Sequence, residues 1–454
     1  MDEVFYQSLL LSVAAVTVLQ LLKLLLVRQR RPRTPPGPWR LPLGETPLVV
    51  ATSKETARAV LKTHDTNFAT RPRLLAGEIV GYEWADILFS PSGDYWRKLR
   101  QLCAAEILSP KRVMMRVNDI RAAGPTTPVN LSVMFHSVTN SIVSRAAFGK
   151  KRKNAPEFLA AIKSGVGLAS GFNVPDLFPT WTGVLATEII DERRCVRGDK
   201  IRNKNNGGAA DDQNADENLV DVLIGLQGKG GFGFHLDNSK IKAIILDMFA
   251  GGTGTSASAM EWGMSELMRN PSVMKKLQAE IREALRGKAT VTEADMQAGN
   301  LRYLKMVIRE ALRLHPPAPL LVPRESIDVC ELDGYTIPAK SRVIINAWAI
   351  GRDPKYWDNP EEFKPERFED GTLDFTGSNY EFIPFGSGRR MCPGFNYGLA
   401  SMELMFTGLL YHFDWSLPEG VNEVDMVEAP GLGVRRRSPL MLYATPFVPV
   451  VSAN

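Results

Sequence analysis

The densest chemistry in the chain lies in ten residues, Phe385-Gly386-Ser387-Gly388-Arg389-Arg390-Met391-Cys392-Pro393-Gly394, patterned Phe-x-x-Gly-x-Arg-x-Cys-x-Gly. The glycines let the backbone turn tightly and approach a flat ligand closely. Cys392 lies beside two arginines, just before an apolar helical pattern from Phe395 to Phe413. A helix N-terminus and neighbouring cations bias a thiol toward thiolate. A thiolate is a strong ligand for haem iron and pushes electron density toward O–O cleavage. A lone cysteine at a turn reads first as a small buried hydrophobe, but five pattern positions filled together favour the ligand.

Three further groupings could do chemistry. Glu310 and Arg313 are three apart on a helical pattern, so both project from one face. Alone they read as a surface ion pair; Arg367, in Pro365-Glu366-Arg367-Phe368, supplies a second guanidinium. One carboxylate held by two guanidiniums can be satisfied when buried. Trp96 and Arg100 are four apart and share a face, which an amphipathic surface helix would also show. A planar guanidinium suits a carboxylate. Last, Ala250-Gly251-Gly252-Thr253-Gly254-Thr255 puts three glycines inside a helical pattern. Each costs about 1 kcal/mol relative to alanine. Such a cluster marks either close helix packing or the approach of a ligand.

The cysteine loop resembles the haem-binding loop of the cytochrome P450 superfamily, the haem-thiolate monooxygenases, and the resemblance extends over nearly the whole chain. It implies a predominantly α fold with small β-sheets: one large haem domain plus an N-terminal transmembrane anchor. It implies haem b, with Cys392 as the iron's axial thiolate and Phe385 and Gly394 in the loop that cradles it. Trp96, Arg100, Arg324 and Arg390 match residues that anchor the haem propionates. Glu310, Arg313 and Arg367 match a buried structural network on the proximal side. Thr255 matches the threonine that assists oxygen activation, while Gly254 stands where the family usually has an acid. An acid there relays protons; Asp247 and Glu261 lie about two turns to either side and are poor direct substitutes. The substrate pocket implied is apolar, from Phe249, Ala250, Gly251, Ala318, Leu320, Leu321, Val322 and Leu432. Electrons would come from NADPH through a membrane-bound cytochrome P450 reductase, with O2 as co-substrate and Arg97, Lys98 and Arg389 as docking charges. The C-terminal half most resembles grass diterpene oxidases, which oxidise a methyl of a pimaradiene-type hydrocarbon on routes to momilactone-like phytoalexins. Other plant relatives hydroxylate other terpenoids, indoles or phenolics.

These residues need a scaffold, and the 454-residue chain, 44% hydrophobic, can bury a sizeable core. A net charge of +5 is small for this length and no basic run interleaves with aromatics, so nucleic acid is not an expected partner. Four cysteines without Cys-x-x-Cys spacing argue against zinc or a disulfide framework. Val4 to Val27 is almost wholly apolar and long enough to span a bilayer, which needs roughly 20 residues. Arg28, Arg30, Arg31 and Arg33 follow it, so the positive-inside rule predicts a lumenal N-terminus and a cytosolic catalytic domain, on the endoplasmic reticulum. The domain expectation is therefore an anchor over 4–27, a basic, proline-rich hinge over 28–40 and a haem domain over 41–454. Compared with plant members of the family, segments near 39–48, 117–125 and 185–188 read as shortened.

The sequence predicts strands at 47–51 and on both sides of an Asp333-Gly334 turn. Helices are expected at 54–64, from Gly93, at 129–148, 158–168, 239–269 and 301–315, and the chain over 203–216 reads as a surface loop. Two rival classes stand beside this reading: a haem-binding but catalytically impaired protein, suggested by Gly254 and the shortened segments, and a haem-thiolate isomerase or dehydratase that needs neither O2 nor reductase, against which Thr255, the basic proximal residues and the anchor speak.

Overall fold

The computed structural model describes residues 46–79, 81–106, 120, 124–148, 220, 223–225, 236–288, 291–429 and 431–447. The expected anchor, the hinge, the helix over 158–168, the loop over 203–216 and the expected shortening at 185–188 lie outside these residues. Among the described residues no helix is long and apolar enough to cross a membrane.

Helices dominate, as expected, with small sheets at the margins. Six of them frame the centre: α1 (Asp94–Glu106), α2 (Leu131–Phe148), α3 (Asn238–Arg269), α4 (Pro271–Ala284), α5 (Arg302–Leu314) and α6 (Phe395–His412). The long α3 starts at Asp237, whose carboxylate accepts a hydrogen bond from the Lys240 N–H, and stops at Asn270-Pro271. A proline cannot continue the ladder but suits the first turn of the next helix. Through its middle α3 is buried on nearly all sides, packing on α2, α5 and α6.

The glycine cluster of α3 serves two purposes. A Cβ on Gly252 would stand 3.1 Å from Val143 Cγ2, so at this position glycine permits close approach of α2. Cβ atoms on Gly251 and Gly254 would meet nothing within 4 Å. The packing explanation therefore covers one of the three glycines and the ligand explanation remains for the other two.

The expected strand at 47–51 forms as Leu48–Ala51, running parallel to Arg342–Ile345, which also pairs antiparallel with Arg324–Glu325. This sheet holds Arg324 beside the cysteine loop. Cys330–Leu332 and Tyr335–Ile337 make the expected hairpin around Asp333-Gly334, both residues at positive φ. The helix expected over 54–64 changes character midway: Lys54–Arg58 is α-helical, and Ala59–Thr63 widens to a π-helical turn.

Candidate functional site

The cysteine loop is held by backbone. Gly386 and Gly388 take positive φ (69° and 71°), the region glycine enters without strain. A Cβ on Gly388 would meet Leu61 O at 2.3 Å and Asp65 Oδ1 at 2.8 Å, so no larger residue fits. The Cys392 N–H donates to Phe385 O at 2.9 Å, closing the loop on itself. Phe385 packs its ring on Phe375 and Phe395, at 5.6 and 6.1 Å between centroids, under the loop. Gly394 caps the N-terminus of α6.

The structure corrects one expectation about the cysteine. Burial pushes the Cys392 thiol pKa up, against the smaller lowering effects of the Gly394 backbone N–H and of Arg100. The flanking arginines do not reach the sulfur. Arg390 donates to Ala69 O and Ser90 O, both at 2.6 Å, and Arg389 pairs with Asp65. Thiolate at this position therefore depends on a bound metal, which deprotonates a coordinating thiol outright.

Around the loop the structure gathers four guanidiniums: Arg71, Arg100, Arg324 and Arg390. Burial and the mutual repulsion of these charges press on the protonated forms of Arg71 and Arg390. Arg324 reaches Asp65 at 3.4 Å and Ser387 O at 3.1 Å. Arg390 stacks on the Trp96 ring at 4.0 Å, and Arg100 lies over that ring at 5.8 Å. Arg100 has no hydrogen-bond partner among the described residues. The Trp96 indole N–H donates to Ile87 O at 3.1 Å. Asp65 and Asp86 are the acids facing this group. An excess of buried positive charge calls for an anionic partner.

The accessible surfaces complete the picture. Gly251 and Thr255 are exposed on a helix whose residues around them are buried or half-buried, and Cys392 is partly accessible although burial raises its pKa. The Thr255 hydroxyl donates to Gly251 O at 2.5 Å. Ser256 Oγ lies 3.8 Å from where a Gly398 Cβ would stand, so α3 and α6 converge there. A partly accessible cysteine, the exposed Gly251 and Thr255 and four guanidiniums facing two acids fit a flat cofactor with two carboxylates, such as haem.

Of the expected pocket residues, Ala250, Ala318, Leu320, Leu321, Val322 and Leu432 are half-buried and Gly251 is exposed. Phe249 is corrected: it is fully covered and packs in the main core. At 100° per residue it points to the opposite side of α3 from Gly251. Met248, one turn before Gly251, shares the accessible face and was not anticipated. Nor were Trp84 and Leu88, which cluster with Leu432. Arg71 was also missed; its guanidinium donates to Leu88 O, Val322 O and Pro323 O. Its signal was the charged residue in Phe68-Ala69-Thr70-Arg71-Pro72, an apolar setting.

Glu310 meets both of its expected arginines. Arg313 binds it through two parallel hydrogen bonds at 2.7 and 2.8 Å, and Arg367 approaches at 3.2 Å. Asp247 and Glu261 are engaged elsewhere: Asp247 accepts from the Ile87 and Leu88 N–H groups, and Glu261 from the Ser132 hydroxyl. Neither is free to replace an acid at position 254.

A family model described as cytochrome P450 matches residues 29–443. The chain is 43% identical to premnaspirodiene oxygenase of Hyoscyamus muticus, over 92% of this chain and 93% of that protein. It is 41% identical to 5-epiaristolochene 1,3-dihydroxylase of Nicotiana tabacum (92% and 94%) and to tabersonine 3-oxygenase of Catharanthus roseus (93% and 94%). The first alignment runs over 479 positions, more than the 454 residues of this chain, so that relative carries residues with no counterpart in it. A zebra fish cytochrome P450 solved with abiraterone superposes with a TM-score of 0.71 at 22% identity, covering 88% of this chain and 92% of the other. The fold, the cysteine loop with its guanidinium edge, and this similarity over almost the full length make the chain a member of the cytochrome P450 family, a haem-thiolate monooxygenase of plant specialised metabolism.

Proposed function

We propose that this cytochrome P450 inserts oxygen from O2 into a hydrophobic terpenoid, most specifically a pimaradiene-type diterpene hydrocarbon oxidised at a methyl group in momilactone-like phytoalexin biosynthesis. What supports a hydrophobic substrate is that Met248 and Ala250 lie half-buried on α3 next to the exposed Gly251 and Thr255, and that the apolar Leu320, Val322 and Leu432 are half-buried as well. The named substrates of the relatives differ, so the diterpene rests on the likeness of the C-terminal half to diterpene oxidases. Bound haem supplies oxygen activation. The chain's own parts are Cys392 as iron ligand, Trp96, Arg100, Arg324 and Arg390 toward the propionates, and Thr255 as the proton-handling hydroxyl. NADPH-cytochrome P450 reductase supplies electrons, with Arg97, Lys98 and Arg389 as docking charges. Residues 4–27 anchor the protein in the endoplasmic reticulum membrane, with the catalytic domain cytosolic.

The test is turnover in microsomes with the reductase, on a panel of diterpene, other terpenoid, indole and phenolic substrates. Oxidised diterpene product supports the reading; product from another class alone replaces the substrate. The second reading, haem bound but catalysis impaired, is favoured by the missing counterpart residues and by Gly254. It predicts a normal carbon monoxide spectrum and no product from any class.

Gly254→Asp addresses the proton route. A Cβ at 254 would meet nothing within 4 Å. General acids contribute about 10²–10⁴-fold where proton transfer limits. The ratio of product to NADPH consumed should rise by about tenfold in the variant if proton delivery limits coupling. An unchanged ratio means that protons reach the site without a group at 254.

A further inference from the structure

A loop between the early helices and α1 is built in an unusual way. Tyr82, Glu83 and Trp84 all have positive φ, at 53°, 63° and 58°. Left-handed backbone costs a non-glycine residue about 1–2 kcal/mol. Something must offset that strain. Immediately afterwards, two carboxyls, the buried Asp86 and the half-buried Asp247, accept from one run of backbone N–H groups. Asp247, from α3, accepts from Ile87 N at 2.6 Å and Leu88 N at 3.2 Å through a single oxygen. Asp86, within the loop, accepts from the Phe89 N–H, and the amides of Leu88 and Ser90 also favour its charged form. The amides the two acids accept from are therefore consecutive, Ile87 and Leu88 for Asp247 and Phe89 for Asp86. The second oxygen of Asp86 is buried, without a hydrogen-bond partner among the described residues. It packs against Gly81, where any Cβ would lie 1.7 Å from it.

The same segment presents its carbonyls to the guanidinium edge. Ile87 O accepts from Trp96 and Arg390, Leu88 O from Arg71, and Ser90 O from Arg390. Leu88 also packs, as Leu432 does, on the small cluster of Leu74, Ala76 and Phe89. The amides of this segment are held by acids and its carbonyls hold bases.

We propose that Asp86 and Asp247 form a paired-carboxyl clamp that positions the segment Ile87–Ser90, and through it Arg71, Trp96 and Arg390, and that the clamp loosens when both acids ionise. The two are positioning residues. The clamp is independent of which substrate the enzyme oxidises, so its failure leaves the proposed function untouched.

Charge decides the direction. Burial and the neighbouring Asp86 hold Asp247 well above the usual carboxylate range. Burial lifts Asp86 to about 7, opposed by its amide donors and by Arg390. The other groups facing the pair are Arg71, Tyr95 and Cys103. Cys103 is pushed up to about 12 and Tyr95 is also raised, so neither titrates between pH 6 and 8, while burial and the neighbouring Arg390 and Arg324 lower Arg71 from the usual guanidinium range. An acid with a raised pKa in the closed state binds more protons there than in the open state. The closed clamp therefore weakens as pH rises from the ordinary aspartate range toward Asp86's value, and further until Asp247 also ionises.

Amide hydrogen exchange on the full-length holoprotein tests this. After correction for intrinsic exchange chemistry, protection at Ile87–Phe89 should be about tenfold lower at pH 8 than at pH 6. Asp86→Asn, which keeps shape and cannot ionise, should cut that ratio severalfold. Asp247→Ala should lower protection at Ile87 and Leu88 at both pH values, while α6 amides hold theirs. Binding of 4-phenylimidazole, read from the haem difference spectrum and expressed per neutral imidazole, should weaken with pH in the wild type and less so in Asp86→Asn. Equal protection at both pH values in the wild type, or an unchanged pH ratio in Asp86→Asn, overturns the clamp. Should Asp247→Ala not fold, the Asp86→Asn comparison decides by itself.

Discussion

Cys392→Ser should fold and yet lose the red-shifted Soret band of its reduced carbon monoxide complex. Turnover should fall by at least about a thousandfold, because the electron donation that drives O–O cleavage comes from the thiolate. The loop has reasons to survive the change. Its shape comes from Gly386 and Gly388 at positive φ and from the Cys392 N–H bond to Phe385 O, none of which uses the sulfur. A serine hydroxyl is smaller, harder and far less acidic than a thiol, so it does not replace a soft anionic ligand. Carbon monoxide spectroscopy after dithionite reduction reads the result directly. A band at the wild-type position in Cys392→Ser would remove Cys392 as the ligand.

Arg313→Ala is the substitution with the largest expected cost to stability. Both members of the Glu310–Arg313 pair have fully buried side chains. Arg313 also donates to Gly351 O at 2.6 Å, Pro360 O at 2.7 Å and Glu362 O at 3.1 Å. Its removal strips Glu310 of two charge-assisted bonds and leaves three carbonyls short of a donor. The Lys364 N–H and Arg367 still serve Glu310, at 2.8 and 3.2 Å. Removing one partner of a buried pair costs about 3–5 kcal/mol. Against a typical total of about 5–15 kcal/mol, that is enough to lose haem and soluble expression. Urea unfolding followed by circular dichroism measures it. A loss under about 1 kcal/mol would mean that Glu310 is not left as an uncompensated buried charge. Arg313→Lys should recover little, since one ammonium cannot reproduce the planar fork.

Local residue chemistry carried a good part of this protein. The positive-φ glycines of the cysteine loop, the Asp333-Gly334 hairpin, the stop of α3 at Asn270-Pro271 and the joint face of Glu310 and Arg313 all follow from steric and periodic rules acting over a few residues. Those rules act on neighbours in the chain, so they are legible in it. They do not say which way a side chain faces once helices cross. Phe249 and Gly251 are two positions apart and equally apolar in setting, yet packing of α3 against its neighbours covers the first and leaves the second open. Nor do local rules weigh burial against charge. Two arginines beside Cys392 suggested an activated thiol, but the fold turns Arg390 toward Ala69 and Ser90 and Arg389 toward Asp65, and burial wins.

The sequence by itself determined the haem-thiolate family, the ligand candidate and the order of the helices, because each is written in spacing along one strand of chain. Only the tertiary structure decided that Arg71 joins the guanidinium edge and that Asp247 closes on the amides next to the one Asp86 holds. Those contacts join residues separated by 251 and about 160 positions, where desolvation and close approach set the energy and no spacing rule reaches.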